Sequence, residues 1–196
     1  MEKQEEMTEV NHSVELHAKR LVLRKFRASD ADAMFRNWAS DDEVTQHLTW
    51  RSHANIGETQ AVIEKWLGGY TFPRFYLWAL DLDGVIIGSI GCAQPDMVLN
   101  SIKLGYALSR DYWGNGYMTE ALQTVISHLF SLGYNRIEAN HYIENPASGR
   151  VMEKAGMQFE GLIRDGGKDG FGNYRDVKQY AILQRDLAKS FDASGQ

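Results

Sequence analysis

One stretch of this chain constrains its fold more than any other. Ser101 to Leu108 reads as a strand, and Trp113-Gly114-Asn115-Gly116 as a glycine-rich turn. Met118, Ala121, Leu122, Val125, Ile126, Leu129 and Leu132 then recur at three- and four-residue steps, the stripe of a helix packed on a sheet. Gly133 stops that helix, and Arg136 to Ile143 reads as the next strand. A strand, a crossover helix and a second strand suit a parallel pair.

Around this unit the chain reads as mixed α and β. Arg20 to Phe26 alternates loosely as a first strand. Ser29 is placed to cap a helix with Asp30 and Asp32 in its first turn, carrying Ala33, Met34 and Trp38 toward a core. Gly57 to about Leu67 predicts a second helix, ended by Gly68-Gly69. Phe75 to Leu82 and Val85 to Ile90 flank Asp83-Gly84, a strong hairpin signal. Asn145-Pro146 opens a short helix that ends at Gly156, with Asn as cap and Pro in the first turn. Two strands, about Gln158 to Ile163 and Tyr174 to Leu183, flank a flexible tip at Asp165 to Gly172.

The chain's 196 residues suit one domain, expected over 20–186, between a polar tail at 1–19 and a short tail at 187–196. Twenty-one Lys and Arg against 26 Asp and Glu leave a net charge of −5, which argues against generic nucleic-acid binding. No apolar run approaches the roughly 18 residues of a membrane span. The acidic, polar start is not a secretory signal. Cys92 is the only cysteine, so an internal disulfide and a multi-cysteine zinc site are excluded. A cytoplasmic location follows as the default, with no membrane and no nucleic-acid partner. His47 and His53 have no third ligand at a recognisable spacing, so no metal is expected.

The turn before the long helix is where chemistry is expected. A helix start leaves its first N–H groups unpaired and carries positive potential. Gly114 and Gly116 would let a phosphate approach those groups, although an ordinary tight turn also uses glycine. No Gly-Lys-Ser/Thr follows, so this is not a Walker loop. The third glycine of a dinucleotide fingerprint would fall at Thr119.

Three stretches, in this order, resemble the GNAT acyl-CoA N-acyltransferases. The resemblance is nearest to the RimJ/RimL-type N-terminal acetyltransferases of ribosomal proteins. They are Tyr112 to Ala121, then Glu144-Asn145-Pro146-Ala147-Ser148 with Glu153-Lys154-Ala155-Gly156, then Phe159-Glu160-Gly161 leading to Arg175-Asp176. The resemblance covers roughly Arg20 to Asp186. It implies the α/β (α+β) GNAT fold: a single mixed, mostly antiparallel sheet with helices on both faces and a splayed parallel strand pair.

It also implies acetyl-CoA as acyl donor. The family's pyrophosphate motif, Q/R-x-x-G-x-G/A, would fall on Trp113, Gly114, Asn115, Gly116, Tyr117 and Met118, with Thr119 beside them. Trp113 departs from the pattern, as is usual in this subgroup. Met118, in place of a small residue, is a departure that would crowd the phosphates or shift the loop. Pantetheine would pair with the backbone of Tyr106, Ala107 and Leu108. Asn145 would cap its helix and touch that arm, Ser148 would lie near the sulfur, and Lys154 would reach the nucleotide phosphates.

An amine attacks a thioester only when neutral, so a base or a water chain must take its proton. Many GNAT enzymes protonate the leaving thiolate with a Tyr, but the matching position here is Met152. Ser148 is the remaining donor. His141, Glu144 and Glu160 are candidate bases, each with a structural alternative: a packed core His, a solvated loop acid and a hydrogen-bond partner. The expected acceptor is a primary amine, by resemblance a protein N-terminus of the ribosomal type. It would be chosen by the early helices, including Trp38 to Trp50, and by the Gly166 to Gly172 tip. Rivals are a small amine, amino-acid derivative or antibiotic as acceptor, and a non-catalytic acyl-CoA-binding protein. Monomer and homodimer both remain open.

Overall fold

A computed structural model describes residues 13–92 and 95–186. Eight strands form one sheet in the order β1-β2-β3-β4-β5-β6-β8-β7. They are β1 (Leu16–His17), β2 (Val22–Arg24), β3 (Leu77–Leu82), β4 (Val85–Cys92), β5 (Ser101–Leu108), β6 (Arg136–Tyr142), β7 (Gln158–Lys168) and β8 (Tyr174–Leu183). Every pairing is antiparallel except β5 with β6. Among the described residues it is flanked by α1 (Ala31–Met34), which continues as a π-helical turn over Phe35–Ala39, α2 (Asp42–Thr45), α3 (Ile56–Gly69), α4 (Tyr117–Ser131) and α5 (Pro146–Lys154).

The predicted α4 stripe is buried against the sheet from Met118 to Leu129. Leu132, assigned to the same stripe, lies beyond the helix end and is exposed. Phe130 is buried in the helix's last turn. On the other face a second core joins Met34, Trp38, Ile63 and Tyr70 to Ala79, Ile86 and Ala107 of the sheet. Asp83 and Gly84 both take positive φ, 51° and 86°, as a tight twisted hairpin requires.

Three expectations change. The stretch read as a tail enters the sheet at Leu16, and Ser13 donates its hydroxyl to the Phe75 carbonyl at 2.6 Å. Its polarity hid this, because short edge contacts need no hydrophobic run; residues 1–12 and 187–196 lie outside the described ones. Ser29 does not cap a helix. The entry is a 3-10 turn over Ala28–Asp30, in which the Asp30 carboxylate accepts the Arg27 N–H at 2.7 Å. β7 runs on to Lys168, because two register shifts accommodate its glycines within the strand. The tip is therefore shorter than the sequence implies.

Candidate active site

The β5–β6 ladder is short. It pairs Ser101–Leu104 with Arg136–Ala139 and stops. Beyond it β5 stays with β4 as far as Leu108, while β6 stays with β8 as far as Tyr142. The two halves of the sheet thus part between Leu104 and Leu108. The Ser109 N–H bonds to Ile87 on β4, and the Asn100 carbonyl accepts from Asn135 on the β6 side. Backbone direction alternates along a strand. The N–H and C=O of Tyr106 and Leu108 therefore point into the gap, and those of Ala107 point to β4. The Leu108 carbonyl accepts the Trp113 indole N–H at 2.8 Å. Trp113, 46% exposed, thus closes one end of the slot.

Next to that end lies the start of α4. Gly114 and Gly116 adopt φ of +78° and +80°. The first helical bond runs from Glu120 N to Gly116 O at 3.0 Å, so the N–H groups of Tyr117, Met118 and Thr119 precede it. Met118, the departure from the motif, points away from this turn into the core. It does not crowd the loop.

Arg20 is a residue that sequence reasoning missed. Its Nε bonds Glu120 at 2.8 Å, its Nη1 bonds the Asn115 carbonyl at 3.1 Å, and its guanidinium lies 4.3 Å from the Tyr117 ring centroid. A cation thus stands at the positive end of a helix, held there by one carboxylate. Beside the N–H groups of Tyr117, Met118 and Thr119, this is a place that a helix start makes favourable for an anion. The partners are a hundred positions apart, so no local pattern announces them.

On the β6 side of the slot, after Tyr142, α5 begins. The Asn145 side chain accepts the Ser148 N–H at 3.3 Å, as its cap position predicts. The hydroxyls of Ser148 and Tyr106 are 2.8 Å apart across the opening. This brings Ser148, Asn145 and Tyr106 together. Lys154 is elsewhere. It sits exposed in the last turn of α5, with its carbonyl on Gln123 at 3.1 Å. Gln123 is roughly 10 Å along α4 from Gly116, at about 1.5 Å per residue. Lys154 is thus not gathered into the glycine turn.

The candidate bases separate. Glu160 is bound by both terminal nitrogens of Arg136, Nη1 at 2.8 Å. Those bonds hold its carboxyl below the ordinary range. Arg136 is level with Ser101, at the closed end of the ladder. The Glu160 carboxylate is thus engaged by Arg136, as its structural reading has it, although its neighbours Phe159 and Gly161 lie level with Ala139 and Asn140 across β8. Glu144 stays half-exposed, 3.6 Å from Arg175.

His141 is packed under α5, 6% exposed, with its ring centroid 5.6 Å from that of Tyr180 and tilted by 32°. Its Nδ1 is 2.8 Å from the Tyr142 carbonyl, which can only accept, so Nδ1 carries the proton. Its Nε2 is buried without a partner, and a Cβ on Gly149 would come within 2.6 Å of it. Burial lowers its pKa, despite the opposing hydrogen bond to Tyr142.

The unfolded chain therefore binds a proton near pH 6.5 that the folded chain refuses. Stability is expected to fall as pH drops below about 6.5. His47 and His53 are lowered by burial too and contribute with the same sign. Thermal unfolding at pH 7.5 and 5.5 checks this. A His141→Phe variant should lose less stability between the two values than wild type does.

The walls beyond the slot also meet. Arg51, after α2, donates to the Gly170 carbonyl at 2.9 Å, and a Cβ on Gly170 would strike the Trp50 backbone at 2.5 Å. Asp169 organises this β7–β8 tip. Burial alone would raise its pKa, but bonds from Asn173, Phe171 and Arg175 outweigh that and lower it. The tip thus meets the end of the early stretch at Trp50 and Arg51, while Trp38 is buried in the core.

Comparison with known proteins gives the family and the fold. The family model for an acetyltransferase (GNAT) domain matches residues 20–158. The N-acetyltransferase p20 of Bacillus licheniformis, itself uncharacterized, is 34% identical over 88% of this chain and 98% of its own. YdaF of Bacillus subtilis, provisionally described as a ribosomal N-acetyltransferase, is 28% identical over 65% of this chain and 69% of its own. The structure of Mycobacterium smegmatis RimJ in complex with a CoA disulfide shares the fold. Its TM-score is 0.82 at 23% identity, over 94% of this chain and 96% of that one. The splayed parallel pair, the glycine turn opening α4 and the matched sequence together make this chain a member of the GNAT family of N-acetyltransferases.

Proposed function

We propose that this chain moves an acetyl group from acetyl-CoA to the α-amine of a protein or peptide N-terminus, of the ribosomal-protein type, by direct attack in a ternary complex in the cytoplasm. The observation that carries the donor half is the slot between β5 and β6, with the glycine turn that opens α4 on the β5 side and the Tyr106–Ser148 hydroxyl pair across it. The inward backbone groups of Tyr106 and the inward N–H of Leu108, whose carbonyl accepts from Trp113, suit an amide-bearing pantetheine arm. Open space around Gly114 and Gly116 suits a pyrophosphate: a Cβ on Gly114 would touch nothing within 4 Å, and one on Gly116 only Arg20. Asn145 and Ser148 flank the position of the thioester. Glu144 and the water around it are the route for the amine's proton.

The acceptor half rests on the β7–β8 tip and Arg51. Phe171 and Tyr174 stand 68% and 63% exposed, with Arg51 4.6 Å from the Phe171 ring centroid. A small-molecule site buries most of its ligand. An open rim of aromatic and charged side chains suits the end of a longer chain. The provisional description of YdaF points the same way.

No helix among the described residues is long and apolar enough to cross a membrane. The test offers acetyl-CoA with short peptides, the same peptides with a blocked α-amine, polyamines and aminoglycosides. The expected result is a single acetyl on the free α-amine. Acetylation of a small amine, with the peptides untouched, would replace this acceptor with the other class.

A further inference from the structure

We infer that Tyr106 is a positioning residue, whose hydroxyl aims the Ser148 proton at the sulfur of the acyl donor. This rests on the donor half of the proposed function. Tyr106 alternates with Ile102 and Leu104, which are buried on the α4 face, so its ring points beneath α5. There the hydroxyl lies 2.8 Å from Ser148 Oγ and 3.2 Å from the Ser148 carbonyl.

Two proton arrangements fit. In one, Tyr106 donates to the Ser148 carbonyl and the Ser148 hydroxyl donates to Tyr106, which spends the serine proton inside the pair. In the other, Tyr106 donates to Ser148 Oγ, and the serine proton is free to point into the slot. An electron-rich sulfur in the slot favours the second, because hydrogen bonds in a chain strengthen one another where water is scarce.

The bookkeeping is simple. The amine nitrogen's lone pair forms the N–C bond, and the C–S pair leaves with sulfur. The amine gives one proton to water, and sulfur gains one from water in the end. Ser148 donates a hydrogen bond to the departing sulfur, and Tyr106 donates one to Ser148. Neither hydroxyl is consumed. Burial pushes the Tyr106 phenol well above its ordinary range, which keeps that proton on oxygen and makes the pair a donor chain. Phenylalanine at 106 would leave the ring and remove only the director.

The experiment measures the affinity of CoA and of desulfo-CoA at neutral pH and at about pH 9.5, above the roughly 8.5 of a free thiol. Turnover is measured alongside, for wild type, Tyr106→Phe, Ser148→Ala and the double variant. Wild type should prefer CoA over desulfo-CoA most at high pH. Ser148→Ala should abolish that preference and lower kcat by roughly 30-fold, the scale of a hydrogen bond to a charged group. Tyr106→Phe should shrink the preference and kcat by about fivefold, with KM for acetyl-CoA unchanged. In the Ser148→Ala background the Phe change should cost less than about twofold, since the two groups act as one chain. A Tyr106→Phe variant that keeps both preference and turnover overturns this inference and leaves the function standing. So does a Phe effect of equal size without Ser148. Failure of wild type to bind even desulfo-CoA overturns the donor site itself.

Discussion

Gly116→Asp should give a folded protein that binds acetyl-CoA about 100-fold more weakly, close to 2.7 kcal/mol. The backbone at Gly116 has φ of +80°, a region that Asp and Asn tolerate better than most residues. A Cβ there would meet only Arg20 Nη2, at 3.6 Å. The new carboxylate would thus find both room and a partner, and the loop would keep its shape. It would also stand at the helix start as a second carboxylate beside Arg20, after Glu120, and repel a pyrophosphate. At an effective dielectric of about 20, two charges about 4 Å apart interact by about 4 kcal/mol, enough for the loss expected. Gly116→Asn separates charge from shape and should weaken binding by no more than about fivefold, the scale of one neutral contact. Titration calorimetry reads both. Equal affinities for the two variants would mean that no phosphate lies at this turn.

Arg24→Met should be the most destabilising single change away from the site. Arg24 bonds Asp30 through Nη1 at 2.8 Å and Nη2 at 3.1 Å, and Asp81 through Nε at 2.8 Å. The Arg24 and Asp30 side chains are each 9% exposed, and that of Asp81 is 15% exposed. Met fills similar space but strands two carboxylates in a dry place. Breaking a buried pair this way costs about 3–5 kcal/mol. At about 2–4 °C per kcal/mol, the unfolding midpoint should fall by roughly 6–20 °C. Adding Asp30→Asn should recover part of the loss, since it removes one stranded charge. A midpoint within about 2 °C of wild type would mean that the triad contributes little.

Arg24 also shows where sequence reading stops. The α4 stripe, the Asp83-Gly84 hairpin and the Asn145 cap are local patterns, and each was legible because its physics lies within a few residues. The Arg24–Asp81 and Arg20–Glu120 pairs are 57 and 100 positions apart, and nothing near either residue signals its partner. Glu160 kept two readings open for the same reason. Its motif position suggested the amine site, while a distant Arg136 captures it. Met118 looked like an obstruction in a linear motif, yet the helical period turns it into the core. The slot itself was legible only through family resemblance. Where a parallel ladder stops is decided by what each strand pairs with on its other side, β4 and β8 here, and that belongs to the whole sheet.

Thermal unfolding with and without acetyl-CoA, with ATP and NAD as controls, tests the central claim most directly. At about 100 times its dissociation constant the ligand should stabilise the native state by about 2.7 kcal/mol. For a chain of this size the midpoint should rise by roughly 5–11 °C, with acetyl-CoA alone. An unmoved midpoint at saturating acetyl-CoA would contradict the assignment of the β5–β6 slot and the α4 turn as the acyl-donor site.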